Sequence, residues 1–302
     1  FASDWEVFLF LFFIRHCCLP EGGGDIAFFW QSRYTIPEKR KDVRRVIYHI
    51  LAIGDVVGEE GLAHVERHLR SVKKWKDIHF TVVNGENVSL TGVTPRQVEE
   101  LYQAGADVVT LGNHAFGKRQ ICNRLDDDPY LLRPANYGGR MPGRGWGIYE
   151  CGHIQIGVLN LVGRFGMDCN VDNPFSTALR LLAGEKPVFT VVDFHAEATS
   201  EKLAMGHYLD GQISALWGTH THVPTADAQV LPKGTGYISD LGMAGPIYGI
   251  LGIEPEQSIE RLLGGLPGRY RAAEGPCKMQ GAVFSLDSGS GLCVDVEPLD
   301  VR

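Results

Sequence analysis

Short apolar runs, each ending in glycine or a polar cluster, recur along most of the chain. Residues 48–53 run into Gly54-Asp55, and residues 80–83 into Asn84-Gly85-Glu86-Asn87. Residues 106–111 run into Gly112-Asn113-His114, residues 188–194 into His195, and residues 213–217 into Gly218-Thr219-His220-Thr221-His222. Runs of this length with helical patterns between them predict an α/β sheet whose functional loops lie at the carboxyl ends of the strands. Residues 61–76 place Leu62, Val65, Leu69 and Val72 on one face and predict an amphipathic helix. Thr94 and Pro95 start a second helix as N-cap and first helical residue, and Gly105 stops it after about Ala104. A third helix is predicted over 200–205, further strands over 154–159, 236–239 and 281–286, and a long Pro/Gly-rich loop over 133–147.

The pattern holds from residue 46 onward, predicting one α/β domain over 46–302 with no internal linker. Residues 1–45 read as an extension of unclear status. Their apolar run, 7–14, is far shorter than the ~20 residues a membrane span needs. Asp4 and Glu6 stand where a signal peptide carries positive charge. An accessory extension or a reading-frame artefact is expected there, with a cleaved signal or anchor as the alternative.

A net charge of −7 over 302 residues argues against long nucleic acid or an anionic membrane as partner, while allowing a small phosphorylated substrate at a locally cationic site. Seven cysteines, odd in number and without Cys-x-x-Cys spacing, point to a reduced, cytoplasmic chain.

In an extended chain residues i and i+2 face the same side, so His220 and His222 are expected to leave the strand end toward one site. Neutral imidazole ligates Zn, Fe, Mn and their neighbours, though two hydrogen-bonded surface histidines would give the same spacing. The other strand ends tip the balance. Asp55, Glu86, Asn113, His195, His220 and His222 exceed what one tetrahedral zinc needs, and Glu86 is the natural carboxylate for two ions to share. The donors are oxygen and nitrogen without thiolate, favouring Fe or Mn, with Zn or Co as alternatives. Two divalent ions, two carboxylates and a bridging hydroxide leave a positive remainder suited to a phosphate ester. His114 would point differently from Asn113 if both belong to one turn, as a proton donor or oxyanion stabiliser, or as a histidine bonded to backbone. Asn87 is balanced between metal ligand and turn residue.

These motifs, with the Asp193-Phe194-His195-Ala196-Glu197-Ala198-Thr199-Ser200-Glu201-Lys202 run, resemble the calcineurin-like metallophosphoesterase superfamily and, within it, the YmdB-like bacterial branch. The similarity spans roughly residues 46–301 and includes Arg133-Pro134-Ala135-Asn136 and Gly242-Met243-Ala244-Gly245-Pro246. The first motif lacks the histidine most superfamily members carry, since Val56 and Val57 follow Asp55, and Glu86 replaces the usual bridging aspartate. Both departures match the narrower branch.

The resemblance implies a four-layer αββα sandwich, two mostly mixed sheets flanked by helices. It implies Asp55, Glu86, Asn87 and His222 around one metal, Glu86, Asn113, His195 and His220 around the other, and His114 as the catalytic histidine. The expected activity is hydrolysis of phosphodiesters, 2′,3′-cyclic nucleotides included, by a metal-bridging hydroxide. The alternatives are a phosphomonoesterase with the same centre or a regulatory metal- or nucleotide-binding protein. Arg133, Arg140, Arg144 and Arg164 are candidate phosphate or base contacts, with surface charge as the plainer reading. Association into a homo-oligomer is left open.

Overall fold

The computed structural model describes residues 45–266 and 268–302. The apolar run at 7–14, and the expected extension up to residue 44, lie outside them. In chain order the elements are β1 (Ile47–Ile53), β2 (Asp55–Val56), α1 (Gly58–Trp75), β3 (Ile78–Asn84), α2 (Pro95–Ala104), β4 (Val108–Thr110), α3 (Ile121–Asp127) and β5 (Leu131–Leu132). There follow β6 (Trp146–Cys151), β7 (Ile154–Val162), α4 (Pro174–Leu182), β8 (Phe189–His195), α5 (Thr199–Leu209), β9 (Ala215–Thr219) and β10 (Gln229–Val230). The last are β11 (Gly236–Ile238), β12 (Met243–Pro246), α6 (Pro255–Leu262), β13 (Cys277–Asp287) and β14 (Leu292–Val301).

Two mixed sheets form. One runs β2-β12-β13-β1-β3-β4-β5 with β14 beside β13, the other β10-β11-β9-β8-β7-β6. In the first, β1, β3, β4 and β5 are parallel. In the second, β7, β8, β9 and β11 are parallel. The central strands are buried on both faces, which is why they read as continuous apolar runs. Strand alternation sorts their side chains: Leu51 and Ile53 face the first sheet's helices with Leu62, Leu69 and Leu101. Ile50 and Ala52 face the other way, into a core between the sheets with Val158, Val191, Trp217 and Phe284. On the far side Leu159, Val192 and Phe194 pack against Met205 and Leu209 of α5. Helix, sheet, sheet and helix therefore stack as four layers, the architecture expected.

The helix start at Thr94 is as predicted. Its hydroxyl accepts the Gln97 backbone N–H, the Gln97 side chain reaches back, and Gly105 closes the helix at φ 119°. The sequence reading missed α3, α4, α6 and β14. Helix α6 has no buried residue at all, and β14 is a largely exposed strand. Strand β6 starts inside the stretch expected to be loop. No helix among the described residues is long and apolar enough to cross a membrane.

The inter-sheet core rests on large side chains, with the Trp217 and Phe284 rings 5.4 Å apart across the sheets. Phe284→Ala should therefore cost about 3–5 kcal/mol in denaturant unfolding. A loss below ~1 kcal/mol would show that the sheets do not pack there.

Candidate metal centre

The carboxyl ends of β1, β3, β4, β8 and β9 converge where the two sheets meet, and they bring all eight sequence-nominated residues together. Glu86, just past β3, is buried and lies with Oε1 3.0 Å from His195 Nε2. Asn113 Oδ1 is 3.0 Å from the same nitrogen and His220 Nδ1 is 3.1 Å from it. Ligand atoms of Glu86, His195 and His220 all fall within 4.8 Å of one another. A second group adjoins the first. Asn87 Nδ2 is 3.0 Å from His222 Nε2 and 3.4 Å from Asp55 Oδ1. Asp55 Oδ1 is 3.8 Å from both His222 Nε2 and His195 Nδ1. Ligation by Asn87 would require its amide to turn so that Oδ1 replaces Nδ2.

Each histidine has its remaining nitrogen committed elsewhere. His195 Nδ1 meets the Thr219 hydroxyl at 2.9 Å, His220 Nε2 meets Glu197 at 3.2 Å, and His222 Nδ1 meets the Leu251 carbonyl at 3.0 Å. Metal-binding histidines are held in this way, one nitrogen anchored and the other turned inward. The fit to a cation is sharpest at Glu86. Its Oε2 accepts the His114 backbone N–H at 3.0 Å, while its fully buried Oε1 faces only His195 Nε2 and accepts no other hydrogen bond. Such an oxygen carries a desolvation cost that a bound cation would offset.

Protons and a cation compete for these donors. Burial pushes the Glu86 carboxyl up, but the His195 cation outweighs it and holds it at about 2. Burial likewise opposes charge on His195, and Glu86, then Asp55 and Asp193, pull it up to about 9. Burial and the His195 charge together push His220 down to about 3, leaving it neutral with a lone pair to give. Burial raises Asp55 against the lowering pull of His222 and His195.

Three sequence expectations need correction. Strand β9 does not break at Gly218 but runs on to Thr219, and a Cβ at Gly218 would overlap the Ser239 carbonyl. His220 and His222 then sit at φ 103° and 62°, so a left-handed turn, not strand alternation, brings the two rings to the site. Strain of this kind persists only where surroundings fix it. Here Asp55 Oδ2 accepts the His220 N–H at 2.9 Å, and Asp240 Oδ2 accepts the Thr221 N–H at 3.2 Å while paired with the buried Lys202 ammonium at 2.7 Å. Asn113 and His114 share one turn, with Asn113 Nδ2 and His114 Nε2 3.4 Å apart. Arg133 is neither substrate contact nor surface charge. It is buried and donates to the carbonyls of Pro134, Met141, Pro142 and Gly143, clamping the 133–147 loop.

Sequence reading also missed a polar layer beneath the site. Asn84, Thr110, Asp193 and Thr219 are all buried there, and their one signal was a polar residue within or closing an apolar run. Asp193 Oδ1 accepts the Thr219 hydroxyl at 2.7 Å, and Oδ2 accepts the Thr110 hydroxyl at 2.5 Å and the Asn84 amide at 3.1 Å. Burial pushes the Asp193 carboxyl up to about 6, the Thr110 bond, His195 and the Thr219 bond pulling the other way.

A four-layer sandwich with a histidine–carboxylate–amide cluster at its strand ends defines the metallophosphoesterase class. Within it the chain belongs to the YmdB-like family, whose model matches residues 51–299. It is 44% identical over 251 residues to a 2′,3′-cyclic-nucleotide 2′-phosphodiesterase of Bacillus subtilis (strain 168), covering 82% of this chain and 95% of that protein. A crystal structure of a hypothetical protein from Thermus thermophilus superposes with TM-score 0.78 at 40% identity, covering 83% of this chain and 98% of that one. The structure of a novel phosphatase of Mycoplasma pneumoniae superposes with TM-score 0.80 at 30% identity, covering 85% and 94%.

A Cβ at Gly112 would drive into both His195 and Glu86. Gly112→Ala should thus cut metal uptake ~10–100-fold in equilibrium dialysis, as displaced ligand orientation does elsewhere. Uptake equal to the parent would contradict this geometry.

Proposed function

We propose that the chain is a metal-dependent phosphodiesterase acting on small phosphodiesters, 2′,3′-cyclic nucleotides among them. The observation that carries the proposal is the buried Glu86 Oε1, which faces His195 Nε2 at 3.0 Å and accepts no other hydrogen bond, between two groups of nitrogen and oxygen donors. In this reading Asp55, Asn87 and His222 hold one ion with Glu86, while Asn113, His195 and His220 hold a second with the same carboxylate. Iron or manganese suits these donors best, with zinc or cobalt as alternatives. Bound there, the ions supply Lewis acidity and a water of lowered pKa next to the phosphoryl group. The Bacillus subtilis relative's name supports the diester and the cyclic nucleotide. A reduced cytoplasm is the compartment this substrate and the five free cysteines among the described residues fit.

The chain's own groups then divide the remaining work. The buried, hydrogen-bonded layer beneath keeps the donors oriented before substrate arrives, which limits reorganisation as charge develops on the phosphoryl and leaving oxygens. His114 has its backbone N–H pinned to Glu86 Oε2, which sets its half-buried ring at the edge of the donor cluster. From there it donates a proton to the leaving oxygen as the phosphorus–oxygen bond breaks and water adds on the opposite side. A phosphomonoesterase reading draws on the Mycoplasma pneumoniae relative, described as a phosphatase. Comparison of kcat/KM for a diester and a monoester separates the two.

His114→Ala should keep its metal and lose ~10²–10⁴-fold in turnover of bis-p-nitrophenyl phosphate and of a 2′,3′-cyclic nucleotide. Glu86→Ala should lose metal and activity together. Metal-loaded protein inactive on diesters and monoesters alike would sink the proposal, and a His114→Ala protein stripped of metal would reverse the roles assigned. Chelation should abolish activity and manganese or iron restore it; activity that survives exhaustive chelation would show that the cluster is not the catalytic centre.

A further inference from the structure

The polar layer under the site has a definite direction of proton donation. Asp193 is buried between the sheets, and as an ionised carboxylate it can only accept. The single Thr219 hydroxyl proton goes to Asp193 Oδ1 at 2.7 Å. With that proton committed, Thr219 Oγ1 faces His195 Nδ1 at 2.9 Å as an acceptor, so Nδ1 must carry the hydrogen. Once an ion displaces the Nε2 proton, the hydrogen kept on Nδ1 leaves a lone pair at Nε2, the atom that lies 3.0 Å from Glu86 Oε1 and 3.0 Å from Asn113 Oδ1.

The same carboxylate orients a second group. Asn84 gives its Nδ2 to Asp193 Oδ2 at 3.1 Å, which turns Asn84 Oδ1 toward the Glu86 backbone N–H at 3.2 Å. The Thr110 hydroxyl completes the carboxylate's contacts from β4. Asn84 and Thr110 belong to the first sheet, Asp193 and Thr219 to the second. One buried acceptor thus sets the polarity of hydrogen bonds that reach His195 from one sheet and Glu86 from the other.

We infer that Asp193 is a positioning residue which, through Thr219, fixes His195 as the Nδ1-protonated tautomer and so makes Nε2 a ready-made metal ligand. The inference rests on the metal-centre reading, because it concerns how His195 meets an ion. Hydrophobic residues of equal volume at Asp193 and Thr219 would fill the space equally well, so packing alone does not call for this chain of hydrogen bonds.

Manganese affinity measured by equilibrium dialysis, with thermal stability followed in parallel, separates positioning from bulk structure. Thr219→Val should weaken one of the two ions ~10–100-fold and leave the other within about threefold, whereas Thr219→Ser, which keeps the hydroxyl, should bind nearly as the parent. Asp193→Asn should behave like Thr219→Val, because its amide can donate to Thr219 and reverse the chain. Zinc-loaded protein with isotope-labelled histidine should show His195 protonated at Nδ1 by NMR. Parent-like affinity in Thr219→Val, equal damage in Thr219→Ser, or hydrogen on Nε2 would each overturn the inference. Parent protein that takes up no metal would overturn the metal-centre reading and the inference with it. If Asp193→Asn fails to fold, the two Thr219 variants still decide.

Discussion

The contact between Glu86 and His195 is the one on which the rest of the structure depends. The carboxylate comes from the end of β3 in one sheet and the imidazole from the end of β8 in the other, and their tips lie 3.0 Å apart at full burial. Taking two ionisable groups out of water is costly, and breaking such a pair leaves one charge uncompensated. The pair is therefore tolerable only if the sheets are held in fixed register face to face. Trp217 and Phe284 supply that in the inter-sheet core, and Gly112 lets the β4 loop pass against both partners without a clash.

Around that contact the molecule gathers its unusual conformations and buried charges. His220 and His222 both take left-handed backbone angles, a strain held by Asp55 and by the Lys202–Asp240 pair beneath Thr221. The Ser200-Glu201-Lys202 end of the long motif thus has a structural meaning. Lys202 anchors the turn after β9, while the buried Glu201 carboxylate accepts the backbone N–H groups of Arg164 and Phe165 and anchors the loop after β7. Two neighbouring residues at the start of α5 hold two of the loops that rim the site. Strain and buried pairing concentrate in one place, as expected where a fold has been shaped for chemistry rather than for stability alone.

Much of this was legible in the sequence because the strands are buried on both faces and announce themselves as apolar runs. Their carboxyl ends then nominate Asp55, Glu86, Asn87, Asn113, His114, His195, His220 and His222, which the structure does bring together. What escaped was of two kinds. Elements lying on the surface, such as α6 and β14, bury little, so no core-facing run marks them out. Tertiary hydrogen bonds were equally invisible: nothing local to Asp193 reveals that Thr110, Asn84 and Thr219 will surround it. Arg133 shows the same limit, since a cation in a Gly/Pro-rich loop reads as exposed until the four carbonyls around it are seen. The His-x-His spacing pointed to the right residues through the wrong local geometry, because alternation and a left-handed turn both place the two rings at one site.

The central claim is that Glu86 is shared between two ions held by separate donor groups. Anomalous diffraction from crystals grown with manganese tests it most directly. The account predicts two anomalous peaks flanking the Glu86 carboxylate, one among Asp55, Asn87 and His222 and the other among Asn113, His195 and His220. A single peak on one side, or none near Glu86, would contradict it.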